Sequence, residues 1–295
     1  MDRRGRTATT FREKWTRNPD LAFSQTLDER SEIFRWILGR NGFERSDQLI
    51  AFLADKRRIL DAGCGNGRVT ALLRQRAAPD AEIVALDLTA ADVARVNLEG
   101  AEGVSVLERD ILGDLSDLGR FDFVYCQEVL HHTADPEAGF RNLAGLLAPG
   151  GEIAIYVYRR KAPVREFTDD YVRERISELP YERAMEECRR IAAMGKALGD
   201  LDASVRVPAI EVLGIEAGEY DVQRLVYHFF MKCFWNEELD AEANAAINFD
   251  WYHPQLSSRH TLEECREWFA RAGVRIEWER VDHYGITVRG TRPEG

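Results

Sequence analysis

Three glycines alternate with other residues in DAGCGNGR (residues 61–68), directly after the apolar residues Ile59 and Leu60. Glycines at this spacing let the backbone pass close to a ligand, because no Cβ atom stands in the way. Twenty residues past Gly67, the apolar run EIVALDL ends near Asp87. A carboxylate in that position is suited to bind ribose hydroxyls. The pattern predicts a site for a cofactor that contains a nucleoside.

Two histidines are candidates for proton transfer. His131 and His132 lie in QEVLHHTADP, just past the apolar run FDFVYC. An imidazole changes its charge near neutral pH, as a general base requires. The alternative is that the pair has a structural role in its loop.

A later, aromatic-rich part of the chain holds further candidates. Asp250 and Tyr252 lie in DWYHP, and His228 lies in RLVYHFFMKCFW. Aromatic rings with one carboxylate could enclose a cationic or amino-acid-like acceptor. For the YHFFMKCFW run, the alternative is an apolar helix that packs on a sheet.

The elements that must position these residues alternate over residues 57–158. Near-continuous apolar strands suit a parallel sheet that is covered on both faces, so we expect a doubly wound α/β domain with right-handed crossovers. The sequence predicts strands at 58–62, 82–88, 104–109, 121–127 and 151–158, and helices at 66–77, 90–99 and 136–147.

The α/β pattern resumes at Thr261, which has capping-box spacing to Glu264 at the start of a helix. Two strands follow, VRIEWERV and ITVRG, and their short connection makes them antiparallel neighbours. Between the two α/β parts, residues 159–260 are rich in charge and predict helices, most clearly at 171–178, 181–199 and 219–235.

This organisation predicts three parts of the chain. Residues 1–56 form an N-terminal helical cap or lid. Residues 57–158 and 261–295 form the cofactor-binding domain. Residues 159–260 form a helical insertion for acceptor binding, dimerisation or both, so a homodimer is one expected assembly.

Composition limits the classes of partner. The chain has 295 residues, is 45% apolar and carries a formal net charge of −11, which disfavours a broad nucleic-acid interface. Its first seventeen residues hold six Lys and Arg but two acids, which predicts a solvated, partly disordered terminus. No apolar run is long enough to span a membrane, and no secretory signal follows the basic start.

Five scattered cysteines without a Cys-x-x-Cys pair predict reduced thiols in a cytoplasmic protein. They argue against a zinc site, and no spacing of His, Asp and Glu compels another metal site.

The motifs together resemble the class I S-adenosylmethionine-dependent methyltransferases. The resemblance covers residues 57–158 and 261–290 and implies a Rossmann-like, seven-stranded sheet with a terminal antiparallel hairpin. It rests on DAGCGNGR, VALDLT, ERDIL and FDFVYCQEVLHHTADPEAGFRNLAGLLAPGGEIAIYVY. FREKWTRNP and DWYHPQLSSRHTLEECREWFARAGV are similar to a type 11-like bacterial subgroup that acts on small molecules, often in biosynthesis.

A nicotinamide cofactor is the rival interpretation, because its fold also uses a glycine-rich turn and an acidic strand end. The dinucleotide pattern G-x-G-x-x-G would need a third glycine at Arg68. Asp110, which follows an apolar strand, is in position to meet adenine, and the terminal hairpin suits the methyltransferase sheet. These features favour S-adenosylmethionine.

The resemblance also implies which residues bind the cofactor. The backbone of the glycine turn meets its amino-acid part, acids and apolar residues at strand ends meet its nucleoside, and an N-terminal aromatic covers it. The turn residues are Gly63, Cys64 and Gly65, and Asp61 holds the turn or meets the cofactor ammonium through water. The carbonyl of Gln127 meets the ammonium directly. Asp87 binds the ribose, Leu88, Asp110 and Ile111 meet the adenine, and Trp15 with Phe11 forms a lid.

The implied function is methyl transfer to a small-molecule acceptor, without nucleic-acid or membrane partners. Three alternatives use the same cofactor. One is an RNA or protein methyltransferase. The second is an enzyme that cyclises the aminobutyrate part of the cofactor and releases methylthioadenosine. The third is a protein that binds the cofactor without catalysis.

Overall fold

The computed structural model of the chain describes residues 2–294. These residues form two compact units. The sheet unit comprises residues 11–159 and 258–294, and the insertion unit comprises residues 2–10 and 160–257.

The elements follow one another in chain order. Helices come first: α1 (Arg3–Arg17), α2 (Phe23–Leu27), α3 (Glu32–Arg40) and α4 (Ser46–Leu53). Strands and helices then alternate: β1 (Arg58–Ala62), α5 (Arg68–Arg76), β2 (Glu82–Asp87), α6 (Ala91–Asn97), β3 (Val104–Glu108), β4 (Phe121–Gln127), α7 (Pro136–Gly145) and β5 (Leu147–Tyr158). The insertion follows, with α8 (Pro163–Ile176), α9 (Tyr181–Gly199), β6 (Ser204–Val207), β7 (Gly218–Asp221), α10 (Val222–Phe229) and α11 (Ala241–Tyr252). The chain closes with α12 (Leu262–Arg271), β8 (Arg275–Val281) and β9 (Gly285–Thr291).

The main sheet of the described residues has seven strands in the order β3-β2-β1-β4-β5-β9-β8. Strands β1 to β5 are parallel, and β9 runs antiparallel to both β5 and β8. The predicted doubly wound sheet with its closing hairpin is therefore confirmed. The strand order reverses between β1 and β4, and ligands of such sheets bind outside the carboxyl ends of strands at that point.

The central strands are apolar because both of their faces are covered. Leu60, Val124 and Ile153, one from each of β1, β4 and β5, are fully buried in one core cluster. Strand β5 begins at Leu147, earlier than predicted, and its pairing with β4 shifts register across Pro149–Gly151. Pro149-Gly150-Gly151, a sequence that predicts a sharp turn, is thus an irregularity inside a longer strand. The core holds the carboxyl ends of β1, β2 and β4 in fixed positions.

The insertion unit differs from its predicted helices in one segment. Residues 219–235 were predicted as one helix, but β7 occupies the start and α10 ends at Phe229. The reason is a set of side-chain acceptors: the backbone N–H of Lys232 donates to Asp169, and that of Phe234 donates to Asn248, both at 2.9 Å. These donors are therefore not available to continue the helix. The hairpin of β6 and β7 was not predicted.

The basic N-terminus is also more ordered than predicted. Residues 3–17 form α1, and Arg12 pairs with Asp92 at 3.7 Å. Lys14 is buried, with its ammonium 3.9 Å from the centre of the Trp15 ring. Ion pairing and packing on an aromatic ring hold this helix, so the expectation of a partly disordered terminus was wrong.

No helix among residues 2–294 is both long enough and apolar enough to cross a membrane.

Candidate functional site

The glycine turn after β1 is fixed by hydrogen bonds to the neighbouring strand. The N–H groups of Gly63 and Cys64 both donate to the carbonyl of Leu86, at 2.7 and 2.9 Å. Gly63 has φ +85°, and a Cβ added there would lie 2.2 Å from a methyl group of Val129. Only glycine fits this position. Because both N–H groups are used within the turn, Gly63 and Cys64 can offer a ligand only their carbonyl oxygens.

Asp87 at the end of β2 is held beside this turn. One of its carboxylate oxygens accepts the N–H of Gly65 at 2.9 Å, and the other accepts the N–H groups of Thr89 and Ala90 at 2.7 and 2.8 Å. The side chain is half-buried, and the next residue, Leu88, is 40% exposed. The end of β2 therefore offers an oriented acceptor beside an apolar surface, which fits the ribose and adenine of a nucleoside.

Asp61 at the end of β1 is buried and holds the start of α5. Its carboxylate accepts the hydroxyl of Thr70 at 2.6 Å. Burial raises the pKa of Asp61 to about 6, and the charge of Asp87 adds to this, while the Thr70 hydrogen bond and Arg68 oppose it. This geometry supports the predicted turn-holding role.

The loop after β3 lies in line with Asp87. The N–H of Arg109 donates to the carbonyl of Asp87 at 3.2 Å. Asp110 accepts the N–H of Leu112 at 3.0 Å, and Asn142 of α7 donates to the carbonyl of Ile111 at 3.0 Å. These bonds keep Asp110 and Ile111 at the same sheet edge as Asp87. The position suits their predicted contacts with adenine.

The end of β4 carries a charged side chain, Glu128, which the sequence offers as a contact for the cofactor or for an acceptor amine, or else as a solvated acid at a helix start. Glu128 has φ +66° and lies 3.5 Å from a guanidinium nitrogen of Arg40 and 3.6 Å from one of Arg68. Arg40 is only 2% exposed. The preceding Gln127 uses its side chain within the protein, because it is hydrogen-bonded to Asn41 and accepts the Tyr125 hydroxyl at 3.0 Å. The carboxyl end of β4 is thus a polar, charged edge.

The two histidines differ in environment. His131 is fully buried, and its ring stacks on Tyr158 with the centroids 3.6 Å apart. Its carbonyl accepts the N–H of Ser258 at 2.8 Å. His132 is half-buried, with its ring edge-on to Phe11 at 4.8 Å. Of the two, His132 is therefore the better candidate to meet an acceptor.

Helix α1 reaches the carboxyl edge of the sheet with two aromatic side chains. Phe11 contacts His132, and Trp15 lies one helical turn further along α1. A Cβ on Gly65, where φ is +56°, would lie 2.8 Å from the Trp15 ring. Trp15 thus lies against the glycine turn, as a lid residue would.

Two asparagines fasten the segment that follows α1 to the turn. The fully buried Asn66 donates to the carbonyls of Pro19 and Leu21 at 3.0 and 3.1 Å. Asn97 of α6 donates to the Pro19 carbonyl at 2.7 Å and to the Asn66 carbonyl at 2.9 Å. Sequence reasoning missed these residues and Arg40. Only the position of Asn66 inside the glycine motif could have pointed to it.

The remaining candidates lie in the insertion unit. Tyr252 is fully buried, and its hydroxyl lies 2.8 Å from both the Asp169 carboxylate and the Lys232 carbonyl. Burial and the Asp169 charge raise the pKa of Tyr252 well above its usual value. His228 contacts the ring of Tyr227, and Asp250 is half-buried in α11. For Tyr252, these contacts favour a structural role over the predicted contact with an acceptor.

Within the described residues, the structure brings together no three His, Cys, Asp or Glu side chains that could hold a metal ion.

The sequence pattern of the methyltransferase-domain family matches residues 34–193, more than half of the chain. An uncharacterized protein of Synechococcus sp. is 40% identical over 119 residues, which are 38% of this chain and 28% of that protein. A ubiquinone biosynthesis O-methyltransferase of Alkalilimnicola ehrlichii is 37% identical over 109 residues, which are 35% of this chain and 42% of that protein. The match spans less than half the length of these relatives.

Among solved structures, a chain from a Haloferax volcanii complex that contains a methyltransferase activator has a similar fold. The TM-score is 0.50 at 14% sequence identity, and the likeness covers 96% of this chain and 97% of that chain. At this identity the likeness concerns the fold alone.

Proposed function

Because the chain belongs to the class I S-adenosylmethionine-dependent methyltransferase family, we propose that it transfers a methyl group to a small-molecule acceptor. Membership confirms the enzyme class and the cofactor that the sequence predicted. The observation that carries the proposal for this chain is the Gly65 N–H held 2.9 Å from the Asp87 carboxylate at the sheet edge. It joins the glycine turn and the ribose-binding acid in one rigid site.

The residues at this edge suit the parts of the cofactor in turn. Asp87 would accept the ribose hydroxyls, with Leu88 against the adenine and Asp110 and Ile111 at its polar edge. The carbonyls of Gly63 and Gln127 would accept the ammonium group. When bound, S-adenosylmethionine supplies an electrophilic methyl group on a sulfonium.

The work of the chain is then to orient an acceptor and to exclude water. Phe11 and Trp15 on α1 lie over the sheet edge and would limit access of water. His132, half-buried next to Phe11, would receive a proton from an acceptor hydroxyl. An amine acceptor needs only to be neutral.

Two features support a small molecule as the acceptor. The net charge of −11 opposes binding to a polyanion such as RNA. Relatives over about a third of the chain are named ubiquinone biosynthesis O-methyltransferases. A phenolic oxygen in a bacterial biosynthetic pathway is therefore the first acceptor to test.

The direct test follows products by mass spectrometry. The chain is incubated with S-adenosylmethionine alone, and then with phenols or with amines. S-adenosylhomocysteine that forms only with an acceptor is the expected result. Methylthioadenosine without an acceptor would favour cyclisation of the cofactor, and methylated RNA or protein would replace the small-molecule proposal.

Cofactor binding has its own test by calorimetry with S-adenosylhomocysteine. Asp87→Ala should weaken binding at least about tenfold, about 1.4 kcal/mol, because the ribose loses its charged acceptor. Glu82→Ala, at the other end of β2, should leave the affinity unchanged and serves as the control. Asp87→Asn keeps the shape of the side chain and checks that the turn survives. Equal affinity of Asp87→Ala and the unaltered chain would refute the assignment.

A further inference from the structure

Cationic side chains lie beside aromatic rings inside the insertion unit. The guanidinium carbons of Arg165 on α8 and Arg224 on α10 lie 4.6 and 5.7 Å from the centre of the Tyr227 ring. The ammonium of Lys232 lies 5.2 Å from the centre of the Trp251 ring. Arg165 is 2% exposed and Lys232 is 7% exposed. Cations are rarely buried to this degree without matching negative charge.

One fully buried carboxylate, that of Asp169, lies among these cations. Asp169 is fully buried and accepts Nε of Arg165 at 3.1 Å and the backbone N–H of Lys232 at 2.9 Å. Asp169 also accepts the indole N–H of Trp251 and the hydroxyl of Tyr252, both at 2.8 Å. Four donors therefore fill the acceptor sites of this carboxylate.

Two guanidinium nitrogens of the cluster are buried and have no hydrogen-bond partner among the described residues. They are Nη1 of Arg165 and Nη1 of Arg224. Both guanidinium groups lie beside the ring of Tyr227. Arginine keeps its protons at neutral pH, so each nitrogen requires an acceptor. The two open donors thus lie near a common neighbour.

We propose that the cluster binds the oxyanion group of a small molecule, a carboxylate or a phosphate, between Arg165 and Arg224. An oxyanion supplies negative charge and several acceptor lone pairs, which guanidinium groups bind at close range. The ring of Tyr227 adds a flat apolar surface beside the charge. The sequence predicts a cationic or amino-acid-like molecule among these aromatics, and an oxyanion site agrees with the second of these and not with a simple cation.

The inference does not depend on the proposed methyl transfer, so binding can be measured without cofactor. The full chain is titrated by calorimetry with sodium benzoate, with inorganic phosphate and with sodium chloride at equal ionic strength. Benzoate or phosphate should bind saturably and raise the temperature of unfolding, and chloride should do neither.

Variants connect binding to the cluster. Arg224→Met keeps the apolar stem and should weaken binding at least about tenfold, or 1.4 kcal/mol. Arg165→Lys keeps the charge beside Asp169 but removes the open nitrogen, and should weaken binding at least about threefold. Arg183→Met is the matched control, because Arg183 lies in the same unit with 68% of its side chain exposed.

Each outcome of these titrations supports or overturns the oxyanion site. Stronger binding of benzoate assigns a carboxylate, stronger binding of phosphate assigns a phosphate, and either supports the site when it depends on Arg224. Binding no tighter than that of chloride, or binding that Arg224→Met leaves unchanged, would overturn it. If Arg165→Lys does not fold, Arg224→Met decides alone, because Arg224 is only half-buried.

Discussion

At the scale of single residues, the charged groups of the site have two kinds of environment. Asp87 is half-buried and its two oxygens are oriented by backbone N–H groups. Asp61 is buried, so its ionised form is disfavoured and its pKa lies at about 6. Asp87 is thus placed to bind a ligand. Asp61 holds the start of α5, and its burial lowers the free energy of unfolding by an amount that depends on pH.

Asp61 makes folding stability depend on pH in a defined direction. Its pKa in the folded chain is about 6, against an ordinary value of 3.8, so the folded state binds the proton more tightly. The free energy of unfolding therefore falls by up to about 3 kcal/mol as pH rises from about 4 to about 6. Above that range, the contribution of Asp61 to this free energy no longer changes with pH.

Asp61→Asn should remove this loss while it still accepts the Thr70 hydroxyl. Urea unfolding at pH 4.5 and pH 7.5 measures the effect. The variant should gain stability relative to the unaltered chain as pH rises, by about 2–3 kcal/mol. Asp80→Asn, at an exposed side chain, is the control: its free energy of unfolding should differ from that of the unaltered chain by the same amount at both pH values. A constant difference for Asp61→Asn as well would contradict the role given to burial.

At the scale of elements, α1 and the segment after it form a cover on the glycine turn. Trp15 lies against Gly65, and the amides of Asn66 and Asn97 bind the carbonyl of Pro19. Phe11 against His132 and the Arg12–Asp92 ion pair add to this contact, so the cover is held by side chains of α1 and α6 rather than by pairing with a strand. A cover of this kind can admit a cofactor without disturbing the sheet.

Asn97→Ala removes one hydrogen bond to the Pro19 carbonyl and one to the Asn66 carbonyl, and should loosen the cover. Amide hydrogen exchange of the peptide that spans residues 15–21 should speed up by about fivefold or more, since each bond contributes about 1 kcal/mol. Glu99→Ala changes an exposed side chain near the same helix and should have no effect. If exchange in Asn97→Ala matches that in the control, Asn97 does not hold the segment.

At the scale of the whole molecule, charge is spread unevenly along the chain. The net charge is −11, yet six cationic residues lie in the first seventeen. In the structure, Arg6 pairs with Glu178 at 2.7 Å and Arg12 with Asp92 at 3.7 Å, and Lys14 is buried. Much of the basic charge is therefore neutralised or covered within the protein.

The chain should not bind RNA at physiological salt. Fluorescence anisotropy with a labelled RNA at about 0.15 M salt should show no saturable change, because an acidic surface repels the phosphates. A known basic RNA-binding domain serves as the positive control. Saturable binding that weakens steeply with salt would show that the terminal cations do form a nucleic-acid surface.

Elements encoded by neighbouring residues were predictable. The capping box of Thr261 and Glu264 begins α12, and Asp135 caps α7 as its side chain accepts the N–H of Ala138. The helix over 181–199 matches α9. Caps and helical periodicity depend on contacts within a few residues, which the sequence displays directly.

The errors concern residues whose partners are distant in sequence. The helix predicted over 219–235 fails because Asp169 and Asn248 accept backbone N–H groups of that segment. The N-terminus is ordered because α1 meets residues far along the chain, as Arg12 does with Asp92. Competition between local and distant hydrogen-bond partners is settled only when the chain is folded.

The sequence alone determined the cofactor-binding half of this protein: DAGCGNGR, Asp87, Asp110 and the alternating pattern specify a sheet, a turn and a cofactor class, because they act through local backbone geometry. Tertiary structure decided the rest. It separated His131 from His132 by burial, placed Trp15 on the turn, and gathered Arg165 and Arg224 around one ring. Burial and net charge in a cluster are properties of distant residues brought together, and no local pattern records them.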